Sequence, residues 1–231
     1  MANKNKNISD ERLLITSINP LSPISEQYRT LRTNIEFIMA DKGLKTLSIT
    51  SANAGAGKST TTGNLAITFA QQGKKVLLID GDLRKPVVHQ VFKVRNFTGL
   101  TNVLARQVDL NSAIQRTRMN ENLFVLASGP IPPNPSELLG SLTMRELLKD
   151  VTQKFDIVLI DTPPLMSVTD AQLLSQITDG VLVVAHANQT KKEELARAKR
   201  LLEQVKANIL GCILHGVENN DTSQYYYYGA E

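Results

Sequence analysis

The segment Ala52-Asn53-Ala54-Gly55-Ala56-Gly57-Lys58-Ser59 matches the phosphate-binding pattern G-x-x-x-x-G-K-[ST] at every position but the first, where Ala52 replaces glycine. Glycines let the backbone approach a phosphate closely, and Lys58 adds a positive charge for the β- and γ-phosphates. The Ser59 hydroxyl is a Mg²⁺ ligand in this pattern. We therefore predict that ATP and Mg²⁺ bind here. The predicted ATP contacts are Ala54, Gly55, Ala56, Gly57, Lys58, Ser59 and Thr60.

The flanks of this loop supply the context that the pattern requires. Residues 47–50 read as a short strand, and residues 59–72 read as a helix whose positive end faces the anion. A dinucleotide-binding turn is the near alternative, because Gly55-Ala56-Gly57 could begin G-x-G-x-x-G. Thr60 breaks that pattern at its sixth position, and Lys58 would then have no role.

The rest of the chain alternates apolar strands with helices. Unalternated apolar runs between helices indicate a parallel sheet that is covered on both faces. The predicted strands are 76–79, 123–126, 157–160, 181–184 and 209–214, and the predicted helices are 136–153, capped by Ser136, 170–177 and 191–206. Another helix opens at Ser22-Pro23. We expect a P-loop NTPase fold of the α/β class, with a mostly parallel central sheet and helices on both faces. The expected parts are a polar arm (1–20), one domain (21–218) and a flexible tail (219–231) that holds a tyrosine cluster.

Carboxylates follow two of the predicted strands at their carboxyl ends. Asp80 and Asp82 come after residues 77–79, and Asp161 comes after residues 158–160. Ligand sites of α/β proteins lie at this edge of the sheet, and Mg²⁺ takes one or two carboxylates together with water. These aspartates beside a P-loop therefore indicate a magnesium site. Arg84 either contacts phosphate or pairs with a neighbouring carboxylate, and the sequence leaves both alternatives open.

Composition limits the remaining functional classes. The net charge of +4 is typical of an ordinary solvated surface, so no nucleic-acid partner is predicted. The single cysteine, Cys212, excludes an internal disulfide and is expected to be a small buried residue. The three histidines show no ligand spacing, and no apolar run is long enough to span a bilayer. We therefore expect a soluble cytoplasmic protein.

Four features together resemble the bacterial tyrosine kinases, or BY-kinases. They are the P-loop, the motif Asp80-x-Asp82-x-Arg84, the run Ile160-Asp161-Thr162-Pro163, and the terminal cluster Tyr225-Tyr226-Tyr227-Tyr228. The resemblance covers roughly residues 20 to 231. The chain is similar to the free-standing cytoplasmic catalytic subunits that serve capsule and exopolysaccharide synthesis.

The resemblance implies a role for individual residues. It places Lys58 on the phosphates, Ser59, Asp82 and Asp161 around Mg²⁺, and Asp80 as the base toward an acceptor tyrosine. It implies autophosphorylation of the tail, with Tyr225, Tyr226, Tyr227 and Tyr228 as acceptors, and we predict transfer in trans because a ring would present each tail to the next subunit. An E-x-x-R-x-x-R motif, here Glu26, Arg29 and Arg32, implies a ring-like homo-oligomer. The implied partners are protein tyrosine substrates and a transmembrane activator that recruits the chain to the inner face of the membrane.

Two other functions remain as alternatives. A positioning ATPase of the partition or septum-site type resembles the same fold, but such proteins carry a second lysine five positions before Lys58, where this chain has Asn53. The other alternative is a non-catalytic scaffold that binds ATP only to assemble a ring and uses its tyrosines as a docking tail.

Overall fold

A computed structural model describes residues 14–217, and their centre is a seven-stranded sheet. The strands are β1 Thr46–Ser51, β2 Val76–Asp80, β3 Gln115–Arg116, β4 Leu123–Leu126, β5 Ile157–Asp161, β6 Gly180–His186 and β7 Ile209–His215. Their spatial order is β3-β4-β2-β5-β1-β6-β7. Every neighbouring pair is parallel except β3 with β4. The predicted mostly parallel sheet is confirmed.

Helices cover both faces of this sheet. They are α1 Ile15–Ile18, α2 Pro23–Lys42, α3 Lys58–Gln71, α4 Val88–Val91, α5 Leu100–Leu104, α6 Leu110–Ala113, α7 Pro135–Leu139, α8 Leu142–Lys154, α9 Asp170–Ile177 and α10 Lys192–Gln204. Side chains alternate across a strand, so successive residues of β2 enter different cores. Val76 and Leu78 pack with apolar residues of α2 and α3, whereas Leu77 and Ile79 pack with those of α5, α8 and α9. Because both faces are buried, β2 has no polar alternation.

The segment predicted as one helix over residues 136–153 is two helices. Helix α7 ends before Gly140, and α8 begins after Ser141, whose hydroxyl accepts a hydrogen bond from the Met144 amide at 3.2 Å. Ser141 is therefore the cap of the longer helix, and the prediction that Ser136 caps it was wrong. The Ser136 hydroxyl instead donates to Asp170 at 2.6 Å.

Residues 14–18, which lie inside the predicted polar arm (1–20), pack on the domain. Leu14 is buried in the core, and α1 packs on α3. The Thr16 amide and hydroxyl both donate to the Asn64 side chain, at 3.0 and 2.9 Å. Residues 14–18 therefore belong to the domain. The expected tail with its four tyrosines, residues 219–231, lies outside the described residues.

Strand β7 closes one side of the sheet, next to β6. An edge strand has a neighbour on one side only, and its side chains are less covered. Cys212 is exposed, contrary to the expectation of a buried residue. Among residues 14–217, no helix is long and apolar enough to cross a membrane.

Candidate nucleotide site

The loop between β1 and α3 has the backbone of an anion cradle. Gly55 and Gly57 both have a φ of 82°, in the left-handed region that favours glycine. Such a backbone turns successive N–H groups toward one point, and α3 begins directly after it, at Lys58. The first turn of α3 contains no acidic residue. The structure thus provides the phosphate-binding geometry that the sequence pattern predicts.

Lys58, Ser59 and Asp161 converge beside this loop. The Lys58 ammonium lies 2.7 Å from Asp161 Oδ1, and the Ser59 hydroxyl donates to Asp161 Oδ2 at 2.6 Å. Lys58 Nζ also donates to Ser59 Oγ at 3.1 Å. Strand β5 is the neighbour of β1, so its last residue ends next to the loop that follows β1. The sheet order therefore joins the P-loop to the carboxylate after β5.

Asp80 and Asp82 extend the site from β5 to β2. Asp80 pairs with Asp161 in the register of these strands and is fully buried. Its carboxylate accepts hydrogen bonds from the Val88 amide at 3.1 Å and the Asp82 amide at 3.3 Å. Burial, and then the negative charge of Asp161, raise the pKa of Asp80 to about 8. Burial also raises the pKa of Asp82, the one member of this trio with measurable exposure, at 8%.

The charges of this cluster fit a divalent cation. Three carboxylates face one ammonium, that of Lys58, and after burial the charge of Asp161 is the next largest cause of the raised pKa of Asp80. Within residues 14–217, no group of three or more His, Cys, Asp or Glu residues is arranged to hold a metal by itself. The carboxylates of Asp82 and Asp161 beside Ser59 suit Mg²⁺, which keeps several waters and binds between one or two carboxylates and phosphate oxygens.

Arg84 takes the second of the two roles that the sequence left open. Its Nε donates to Asp170 Oδ2 at 2.8 Å and its Nη2 to Asp170 Oδ1 at 3.2 Å. This ion pair raises the pKa of Arg84 above its ordinary value. A contact between Arg84 and phosphate stays a prediction. No sequence pattern selects Asp170, which is only the first residue of a predicted helix.

His215 is a second residue that sequence reasoning missed. It is the last residue of β7, and its ring lies against the P-loop, because a Cβ added to Gly57 would come within 2.2 Å of His215 Cδ2. Its Nδ1 lies 3.5 Å from the hydroxyl of Thr61 in α3. Burial, and then the nearby His186, lower the pKa of His215. The end of β7 is thus part of the loop's wall.

The residues of the predicted oligomerisation motif have different surroundings. Glu26 is exposed and pairs with Arg29, which also donates to the Pro20 carbonyl. Arg32 faces its own domain, where Nη1 donates to the Thr68 carbonyl at 3.3 Å and Nε lies 3.7 Å from Glu36. The apolar side of α2 also packs against its own domain, because Tyr28, Ile35 and Met39 are buried. The exposed part of the motif is therefore its first half.

The fold and this site define a P-loop nucleotide-binding protein. A family model described as an AAA domain matches residues 44–211. The chain is 48% identical over 228 residues to the tyrosine-protein kinase YwqD of Bacillus subtilis (strain 168), covering 99% of this chain and 96% of that protein. It is 40% identical to the putative tyrosine-protein kinase CapB of Staphylococcus aureus, covering all of both chains. The crystal structure of the chimerical protein CapA2B2 superimposes with a TM-score of 0.84 at 43% identity, covering 88% of this chain and 89% of that one.

These similarities extend over the whole described site. The chain belongs to the bacterial tyrosine-protein kinases. The resemblance drawn from the four sequence features is thereby confirmed.

Proposed function

We propose that this kinase transfers phosphate from ATP to its own C-terminal tyrosines, Tyr225 to Tyr228, in trans. The observation that carries the proposal is the contact of His215 with Gly57, because it puts the end of β7 at the nucleotide loop. About ten residues separate His215 from Tyr225, and they span at most about 35 Å when extended. That reach suits an acceptor site on a neighbouring subunit as well as on the same one.

In this proposal the P-loop binds the phosphates of ATP, and the carboxylate cluster binds Mg²⁺. Lys58 would bind the β- and γ-phosphates, and residues 54–60 would surround them with backbone N–H groups. Ser59, Asp82 and Asp161 would hold Mg²⁺, some of them through water. When bound, ATP supplies the phosphoryl group and Mg²⁺ neutralises part of the charge on it. Phosphoryl transfer needs alignment and charge stabilisation more than covalent help, and these residues provide both.

Asp80 is the residue we assign as base. Its raised pKa, about 8, is closer to the ordinary value of about 10 for a tyrosine hydroxyl than that of a free carboxylate is. At neutral pH a carboxyl with this pKa is largely protonated. A bound cation beside Asp161 would remove much of the repulsion that raises it. Asp80 would then accept the tyrosine proton only in the loaded site.

Self-association would present the tails to neighbouring active sites. Glu26 and Arg29 lie on the outer side of α2 and are the residues we assign to a subunit contact in a ring. Arg32 would contribute by holding α2 against α3. Each tail would then meet the next subunit at high effective concentration. Phosphates accumulating on the tail would repel one another and loosen the ring.

The cellular setting follows from the resemblance to kinases of polysaccharide synthesis. The kinase would regulate the synthesis and export of a capsular or extracellular polysaccharide. It would act at the inner face of the membrane, recruited by a transmembrane activator, and would phosphorylate tyrosines of other proteins there.

Mixing two defective chains tests transfer in trans. The acceptor carries Lys58→Met with an intact tail, and the donor is an active chain truncated after Gln224. Phosphotyrosine should appear on the acceptor when the two are incubated with ATP and Mg²⁺. Asp82→Ala serves as a second inactive acceptor, because Asp82 forms no ion pair among the described residues and its loss costs less stability.

The controls separate the alternatives. Each chain alone should stay unphosphorylated. Acceptors that never gain phosphate, while wild type modifies itself at a rate independent of concentration, would mean transfer in cis. Release of inorganic phosphate without any phosphotyrosine would favour a positioning ATPase, and neither product would favour a scaffold.

A further inference from the structure

Three segments that are distant in the sequence meet at one buried carboxylate. Asp170, the first residue of α9, is fully buried and accepts two hydrogen bonds from the fork of Arg84, at 2.8 and 3.2 Å. Ser136, in the first turn of α7, donates to Asp170 Oδ1 at 2.6 Å and accepts from Arg84 Nη2 at 3.1 Å. Both carboxylate oxygens are thus engaged, and the three side chains form a closed cluster.

Such a cluster holds its members in one geometry. A buried carboxylate is costly unless it is paired and hydrogen-bonded, so Asp170 binds the Arg84 fork firmly. A bidentate arginine–carboxylate pair also fixes orientation, because both groups are planar. The Arg84 side chain remains about 41% exposed, so the fixed element is the loop that follows β2 rather than a core residue.

The backbone next to Arg84 orients Asp82. The amides of Arg84 and Lys85 both donate to Asp82 Oδ1, at 3.3 and 2.9 Å. Among the described residues, the other oxygen of Asp82 receives no hydrogen bond and is the one left for a cation or its water. Anchoring the Arg84 side chain therefore anchors the N–H pair that aims this carboxylate.

We infer that Asp170 and Ser136 are positioning residues for Asp82 and act through Arg84. The inference rests on the proposed role of Asp82 at Mg²⁺. It gives Arg84 a task in the site that is not phosphate binding, since two of its three nitrogens are occupied by Asp170 and Ser136. Outer residues that orient a metal ligand commonly change metal affinity by about 10–100-fold when they are replaced.

The test measures magnesium without phosphoryl transfer. Binding of a fluorescent ADP analogue is titrated with Mg²⁺ for the wild type, Asp170→Asn, Ser136→Ala and Ser136→Thr. We expect Asp170→Asn to raise the half-saturating Mg²⁺ concentration at least about tenfold, with nucleotide affinity in EDTA unchanged. Ser136→Ala should raise the half-saturating Mg²⁺ concentration by a smaller factor. Ser136→Thr keeps the hydroxyl and should leave this concentration at its wild-type value. Glu146→Gln is the control, because Glu146 lies 3.9 Å from Arg106 and both are exposed.

Each result decides the matter. A lower melting temperature for Asp170→Asn with an unchanged magnesium requirement would show a purely structural role and overturn the inference. Tighter binding of the nucleotide in EDTA would also overturn it, since a freed Arg84 would then be a phosphate ligand. If Asp170→Asn does not fold, the Ser136 pair decides alone. A wild type that binds nucleotide without regard to Mg²⁺ would overturn the magnesium site itself, and magnesium-dependent binding without phosphotyrosine would overturn only the proposed kinase reaction.

Discussion

Replacement of Lys58 by Met should weaken the fold as well as the chemistry. The ammonium lies 2.7 Å from Asp161, whose side chain is fully buried, so the variant leaves a carboxylate without its partner. Removing one member of a buried pair costs about 3–5 kcal/mol.

The destabilisation should therefore be about 3–5 kcal/mol at pH 7. The chain has no tryptophan, so urea unfolding followed by far-UV circular dichroism is the suitable assay. Lys199→Met is the matched control. Its ammonium lies 3.6 Å from Glu203 and both side chains are exposed, so its effect should stay within about 0.5 kcal/mol. A Lys58→Met chain as stable as the control would refute the reasoning.

Three more predictions concern Gly57, Asp80 and Arg32. Gly57→Ala should lower the free energy of unfolding in urea more than Gly55→Ala does. Both glycines have a φ of 82°, but only a Cβ at Gly57 meets the His215 ring. Equal losses for the two variants would contradict a contact between His215 and the loop. Because the pKa of Asp80 is raised to about 8, the folded wild type holds a proton that the unfolded chain releases above about pH 4. Wild-type stability should thus fall relative to Asp80→Asn as pH rises from 4 to 8, by up to about 1.4 kcal/mol per pH unit, and a constant difference would contradict the raised pKa. Arg32→Ala should lower the stability of the single subunit by about 1 kcal/mol, because its hydrogen bond to an α3 carbonyl is lost. If the free energy of unfolding is unchanged and light scattering shows smaller assemblies, Arg32 lies directly in the subunit contact instead.

Local patterns were sufficient to predict the sheet and the phosphate loop. The P-loop residues are contiguous, so the turn, the lysine and the helix start can all be read from one segment. Buried strands such as β2 lack polar alternation, which marks a sheet covered on both faces. These signals depend on neighbours in sequence, and the structure confirms them.

The errors arise where a distant segment supplies the partner. Ser136 has the composition of a helix cap, yet its hydroxyl serves Asp170, and Ser141 caps the helix. Cys212 is apolar in its local context, but β7 is an edge strand and leaves it exposed. The ion pair of Lys58 with Asp161 depends on β5 lying beside β1, an order that no local pattern states.

The contact between His215 and Gly57 decides how this protein can be shortened. A chain that stops at Gly216 keeps the ring on the loop and loses all four tail tyrosines, so it isolates nucleotide binding from the supply of acceptor groups. A chain that stops at Gly211, where the family match ends, would cut β7 in half and strip one wall from the P-loop. The five residues 212–216 thus separate a truncation that keeps the wall of the P-loop from one that loses it.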